Sequence, residues 1–200
     1  MRRIAVFAMG LALCLTACAH TVGKRLTDEE RLDRLYNVFG VTSKTLLDTS
    51  FLGPIPRRVV VMPLRRYRVE DQRMAEALGK HIGNAGFEVV ERAVFRRAAR
   101  EYGVPLMDAV ELEHLQEIGK IAHMDGAFLC SVEGAFLPAA KVKLVDVKTG
   151  EMVSTTEVKY TLYTIQKGAV LSSETVAEAV MLSLKIELRV EEEDPFLQGQ

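Results

Sequence analysis

Val59-Val60-Val61-Met62, behind Arg57-Arg58 and closed by Pro63, is an uninterrupted β-branched run. Such a run fits a strand covered on both faces, the central position of a sheet. Pro63 has no N–H to give a ladder, so it marks the end of pairing there. Past it, Met74, Leu78 and Ile82 recur at helical spacing between Glu70 and Asn84, with Ala77 and His81 beside them. Gly83-Asn84-Ala85-Gly86 supplies cap residues, and Phe87-Glu88-Val89-Val90-Glu91 reads as the next strand. Strand, helix and strand over about thirty residues make a βαβ unit with parallel strands, which sets the fold class as α/β.

Downstream, Val94, Phe95, Ala98 and Tyr102 form the apolar stripe of a helix over Arg92 to Tyr102. Asp108-Ala109-Val110-Glu111 opens another with capping-box spacing, turning Leu115, Ile118 and Ala122 inward. Gly126 to Gly134 is a further apolar strand. Val142 and Leu144 alternate with Lys141 and Lys143, and Val145 and Val147 then break the phase, which predicts a bulge or a strand covered differently at its two ends. Lys148-Thr149-Gly150-Glu151 is a tight turn with Gly150 left-handed. Val158, Tyr160 and Leu162 give a strand with one wet face. At the C-terminal end two periods compete. Val176, Val180, Leu184 and Leu188 fit a helix capped by Ser172 or Ser173, whereas Leu182 to Val190 alternate as a strand would. The expectation is a helix giving way to an extended end, then a solvated acidic tail over 191–200. The sum is one compact α/β domain over 57–190, a mixed sheet of about five strands with helices packed on it.

Upstream, Gly53-Pro54-Ile55-Pro56 cannot continue a helix and reads as the domain boundary. Thr27-Asp28-Glu29-Glu30 has capping-box spacing, and Leu32, Leu35, Tyr36 and Phe39 come after it as a short amphipathic helix ended by Gly40. A second apolar cluster (Leu46, Leu47, Phe51, Leu52) precedes the boundary. The N-terminus carries Met1-Arg2-Arg3 and an apolar run from Ile4 to Leu15, short of the ~20 residues that span a bilayer. Leu15-Thr16-Ala17-Cys18 resembles a bacterial lipobox, which implies a signal peptide over 1–17 and lipidation of Cys18. Residues 18–56 are then anchor, tether and short helix. Stable anchoring takes two lipid signals, and the three acyl chains implied here exceed that.

Net charge is −1, and loss of Arg2 and Arg3 with the signal leaves about −3. No strong field favours nucleic acid or an anionic membrane surface. Cys14 would leave with the signal, and Cys130, inside Gly126-Ala127-Phe128-Leu129-Cys130, is expected as a buried inert thiol. With no tryptophan and few aromatics, a stacking platform for sugars or bases is not expected.

Three stretches together resemble a known family. They are Val90-Glu91-Arg92 leading to Arg100-Glu101-Tyr102, Asp125-Gly126-Ala127-Phe128 leading to Glu133-Gly134, and Leu144-Val145-Asp146-Val147-Lys148-Thr149-Gly150-Glu151-Met152. In that order they are similar to the periplasmic domain of CsgG-like lipoproteins, the curli-secretion family, over roughly 57–188. The same fold occurs in lipoprotein activators of penicillin-binding proteins. The resemblance implies a compact domain behind a lipidated cysteine that docks to other proteins or to its own copies, without catalysis. Ala19, not Asp, after Cys18 implies sorting to the outer membrane. One departure matters. A membrane hairpin needs about twenty residues or more. Between Gly134 and Lys141 the chain has only Ala135-Phe136-Leu137-Pro138-Ala139-Ala140, and the second site, Tyr160 to Leu171, is also short. The chain is not expected to form that pore unaided.

Arg92, Arg96 and Arg100 share a helix ridge with Arg97 beside them, and Arg65-Arg66-Tyr67-Arg68 is a second basic cluster. They suit an acidic partner, a phosphate or a glycan carboxylate; the competing reading is a solvated face balanced by Glu88, Glu91 and Glu101. Glu113, His114, Glu117, His123 and Asp125 lack any recognised zinc spacing, so no metal is expected. The glycines 79, 83 and 86 have the wrong spacing for a phosphate loop, and no nucleophile elbow is present. The expectation is a non-enzymatic, outer-membrane-anchored periplasmic lipoprotein that serves as a protein-binding or assembly module. The alternatives are an activator of a peptidoglycan synthase or a self-associating ring subunit. Its partners would be the membrane through Cys18 and envelope proteins, with no cofactor, nucleic acid or small-molecule substrate.

Overall fold

In the computed structural model, which describes residues 26–65, 68–104, 112–133, 139–161 and 172–188, the Val59–Met62 run forms β2 (Arg58–Pro63). Val59, Val60 and Val61 are all buried, so both faces of β2 are covered as its patterning requires. The chain runs α1 (Asp28–Phe39), β1 (Val41–Leu47), β2, α2 (Val69–His81), a 3₁₀ turn (Ile82–Ala85) and β3 (Glu88–Val89). It continues through α3 (Arg92–Tyr102), α4 (Leu112–Ala122), β4 (Gly126–Glu133), β5 (Ala139–Asp146), β6 (Met152–Tyr160) and α5 (Ser173–Leu188). The strands form one mixed sheet in the order β1-β6-β5-β4-β2-β3. β2 is parallel to both β3 and β4, and the remaining neighbours pair antiparallel.

Alternation along the strands divides the interior into two layers. Val59, Val61 and Phe128 point into one, against Met74 and Leu78 of α2 and Val176, Val180 and Leu184 of α5. Val60 and Ala127 point into the other, against Phe95 and Ala98 of α3 and Leu115 and Ile118 of α4. Burying each large aliphatic contributes about 1.5–3 kcal/mol, so the two layers supply most of the folding drive.

The sheet has six strands, one more than the sequence suggested. The additional strand is β1, which pairs along its length with β6 from Val41↔Tyr160 to Leu47↔Ser154. The folded unit therefore begins at α1, not at residue 57, and residues 28–47 are part of the sheet domain. Thr27 closes a full capping box on α1: its hydroxyl accepts from Glu30 N–H, and the Glu30 carboxylate accepts from Thr27 N–H. Gly40, at φ 66°, turns the chain directly into β1, a left-handed conformation that glycine adopts freely. Behind β1 a buried hydroxyl chain links three elements: Thr45 Oγ1 lies 2.8 Å from Thr156 Oγ1 and 2.9 Å from Ser183 Oγ.

Other expectations meet the structure unevenly. The bulge is present, as a register shift between Leu144 and Val145. The turn at Gly150 is left-handed at φ 80°. The strand expected over Phe87 to Glu91 shortens to Glu88–Val89, because the chain bends into α3 at once. Tyr102 is exposed and Ala99 takes its place in the buried stripe. The C-terminal segment is helical to Leu188. It is buried on several sides, against the sheet, α1 and α2, so its hydrophobic residues show no single helical face. The capping residues Asp108 to Glu111, the acidic tail and the signal peptide lie outside the described residues.

Candidate interaction surfaces

In open α/β sheets, ligands ordinarily bind beyond the carboxyl ends of parallel strands where the chain departs to opposite sides. Here that point lies between β2 and β4, and an internal charge cluster fills it. Asp71, in the first turn of α2, is fully buried. Arg65 clamps it with Nε 2.8 Å from Oδ2 and Nη2 3.2 Å from Oδ1. The Val132 N–H donates to Asp71 Oδ1 at 2.8 Å, and the Val132 carbonyl accepts from Arg65 Nη2 at 2.7 Å and Arg68 Nη1 at 2.9 Å. The carboxylate hydrogen bond holds the Arg65 guanidinium above its ordinary range. The loop cluster, open in the sequence to either a partner or a solvated face, is thus committed, through Arg65 and Arg68, to fastening β4 against α2. Arg66 and Tyr67 lie outside the described residues.

The α3 arginines separate into two groups. Arg92 reaches back to α2, with Nη1 3.3 Å from Glu76 Oε1. Arg96, Arg97 and Arg100 are exposed and carry no ion pair among the described residues. Of the acids expected to balance them, Glu88 is taken by Arg58 at 2.9 Å.

A second basic surface was not visible in the sequence. Helices α3 and α4 cover β3, β2 and β4 on their side of the sheet, and no described helix covers β5, β6 and β1 there. Register lines up Lys141–Glu157–Lys44 across these three strands, with Lys143–Thr155–Leu46 on one side and Ala139–Lys159–Thr42 on the other. Glu157 accepts from Lys141 and Lys159, both at 3.0 Å, and those hydrogen bonds hold its carboxyl below the usual range. Lys44 and Lys143 have no ion pair among the described residues. Lys141, Lys143 and Lys159 could be read from the alternation of their own strands; Lys44 joins them only through the pairing of β1, which propensity did not reveal. Helix α4 separates this face from the α3 arginines, since Gln116 donates to the Lys148 carbonyl and Gly119 lies against Val147.

On the opposite side of the sheet, Leu26 before α1, Arg31, Arg34, Leu35, Val38 and Phe39 of α1 and Glu178 of α5 line an open groove of about 470 Å³. Val38 is more than half exposed. Cys130 is buried, and burial pushes its thiol far up, as expected of an inert core cysteine. The acid–histidine set has other engagements: Asp125 accepts the Arg58 N–H at 2.7 Å, and Glu117 pairs with Lys120 at 2.6 Å. Among the described residues no group of three or more such side chains could hold a metal ion. Cys18 lies outside the described residues.

No protein-family model matches the chain, and no curated protein matches it. Among solved structures it is similar to the LpoB C-terminal domain from Salmonella enterica, at 18% identity over 63% of this chain and 89% of that one, with a TM-score of 0.44. It is also similar to the PelC dodecamer from Paraburkholderia phytofirmans, at 10% identity over 76% and 99%, with a TM-score of 0.41. A third is lipoprotein GNA1162 from Neisseria meningitidis, at 22% identity over 54% and 81%, with a TM-score of 0.43.

Proposed function

We propose that this chain is a lipoprotein held through lipidated Cys18 at the periplasmic face of the outer membrane, and that its domain docks an envelope protein without catalysing a reaction. The observation that carries this reading is the filled crevice at the end of β2. The place where such a sheet ordinarily receives a small ligand is occupied by Arg65, Asp71 and the Val132 backbone. What the domain offers a partner is flat surface: the lysine face of β5, β6 and β1, and the outer arginines of α3. A partner with an acidic surface fits both.

The pore-forming role of the curli-secretion family is not part of the proposal. Glu133 pairs directly with Ala139, so the link between β4 and β5 is residues 134–138. That is far below the length of a spanning hairpin.

Crosslinked pull-down from envelope preparations tests the reading, comparing wild type with Cys18→Ser and with Lys44→Glu/Lys143→Glu. A specific protein recovered with wild type and lost with the charge-reversed variant is the expected result. Recovery of a peptidoglycan synthase would select the activator role, and of the chain's own copies the ring role. A wild-type preparation that yields no specific protein, or one unaffected by charge reversal, overturns the proposed docking surface.

A further inference from the structure

Strand β1 forms one edge of the described sheet, and the opposite edge, β3, is only two residues long. On its inner side β1 is fully engaged. Asp48 N–H donates to the Val153 carbonyl and Thr161 N–H to the Gly40 carbonyl, so in the β1–β6 register the even-numbered residues bond to β6. The N–H and carbonyl groups of Ser43, Thr45 and Leu47 therefore point off the sheet, and they have no hydrogen bond there among the described residues. Nothing in Val41–Leu47 blunts this edge. It has no proline, glycine or bulge, and its single charge, Lys44, has no ion pair among the described residues. We infer that β1 pairs antiparallel with β1 of a second copy about a twofold axis at Leu46, so that Leu46 meets the partner's Leu46 and Lys44 meets the partner's Asp48.

The register follows from the side chains that alternation sets on the lysine side of β1: Thr42, Lys44, Leu46 and Asp48. An axis at Lys44 would oppose two ammonium groups, which is destabilising. An axis at Thr45 would set Lys44 against the partner's Leu46, and one at Leu47 would set Leu46 against the partner's Asp48. At Leu46, apolar meets apolar and opposite charges meet on both sides of the axis. Leu46 is 54% exposed, so pairing covers apolar surface that the single chain shows to water. Asp48 can receive the lysine: its Oδ1 accepts from Ser50 N–H at 2.9 Å and from the Ser50 hydroxyl at 2.6 Å, and its Oδ2 has no partner among the described residues. In the same register Thr45 and Leu47 close hydrogen-bonded pairs with the partner's Leu47 and Thr45, which satisfies the outward backbone groups. The surface is self-complementary, as an isologous contact requires. It rests on the open backbone edge and does not depend on the acidic partner proposed above.

The full chain carrying Cys14→Ser and Cys18→Ser tests this. Sedimentation over a concentration series should show a monomer–dimer equilibrium, weakened about tenfold by Leu46→Lys, which places like charges on the axis. Leu46 is exposed in the single chain, so the thermal melt of that variant should be unchanged. Under mild oxidation, Leu46→Cys should form an intermolecular disulfide about tenfold faster than Thr42→Cys. The two Cα atoms of such an opposed pair are about 4.5 Å apart, whereas the two Thr42 positions would lie about 27 Å apart. Both positions are exposed, and buried Cys130 does not compete. A chain that stays monomeric at every concentration overturns the inference, as do a dimer indifferent to Leu46→Lys and equal rates for the two cysteine variants. Crosslinking of Leu46→Cys in envelope preparations only to another protein gives the edge to that partner and overturns self-pairing. Leu46→Lys adds positive charge to the lysine face, so loss of the dimer with capture of an acidic partner retained separates this inference from the docking proposal.

Discussion

Lys185 of α5, buried, places its ammonium 2.9 Å from the Asp28 carboxylate at the start of α1. The first and last described helices are thereby joined through a charge that the interior does not tolerate unpaired.

A chain beginning at residue 57 removes Asp28, the whole of β1 and the Thr45 hydroxyl that Thr156 and Ser183 share. It should show no cooperative thermal transition, whereas a chain beginning at residue 24 should melt as the mature protein does. Circular dichroism melts of the two compare them directly. A sharp transition in the shorter chain would mean that β1 is dispensable.

Arg65→Ala leaves the buried Asp71 carboxylate without its clamp and should destabilise the protein clearly, since a buried charge that loses its partner is poorly tolerated. Asp71→Asn keeps an acceptor for the Val132 N–H and should cost less, about 1–3 kcal/mol. Urea denaturation gives both values. The opposite ranking would show that the cluster is held by something other than the ion pair.

Gly119 sits where a Cβ would collide with Val147 Cγ1. Alanine gains about 1 kcal/mol of helix propensity over glycine, but overpacking in a rigid core costs about 1–3 kcal/mol. Gly119→Ala should therefore destabilise the protein, and Val147→Ala in the same chain should recover part of the loss. A double-mutant cycle that showed additivity would contradict this contact.

Lys141 and Lys159 donate to the Glu157 carboxylate and hold it below the usual carboxylate range. A carboxyl with a lowered folded-state pKa adds stability above its unfolded value, and that stability disappears as pH falls through the lowered one. The difference in melting temperature between wild type and Glu157→Gln should be constant above about pH 5.5 and close toward zero in acid. The effect is small, about 1 kcal/mol or less, since the pair is partly exposed and screened by salt. Melting curves at several pH values measure it.

The parts of the fold that sequence revealed are those where one local pattern had one structural meaning. The β-branched run at Val59, the Thr27–Glu30 capping box, the phase break after Leu144 and the turn at Gly150 each follow from chemistry within a few residues. β1 was missed because an edge strand with one buried face needs only Val41 and Thr45 inward; Leu46 and Leu47 are exposed and misled the reading. α5 gave a mixed signal because burial on several sides erases the polar face that makes a helix recognisable. The candidate surfaces were less legible still. Asp71 looks like an ordinary first-turn acid until Val132, distant in sequence, is seen to complete its shell. The lysine face exists only once three strands are placed in register.

The capping box at Thr27 opens the first described helix, and residues 19–27 stand between Cys18 and that helix in the sequence. With that cysteine acylated as proposed, nine residues can hold the domain no farther than about 30 Å from its anchor. Confinement of that kind acts as a local concentration on the order of millimolar for any binding site fixed in the same leaflet. An affinity too weak to survive dilution in a test tube would then suffice for occupancy at the membrane, and avidity, not intrinsic tightness, would decide which neighbours this protein keeps.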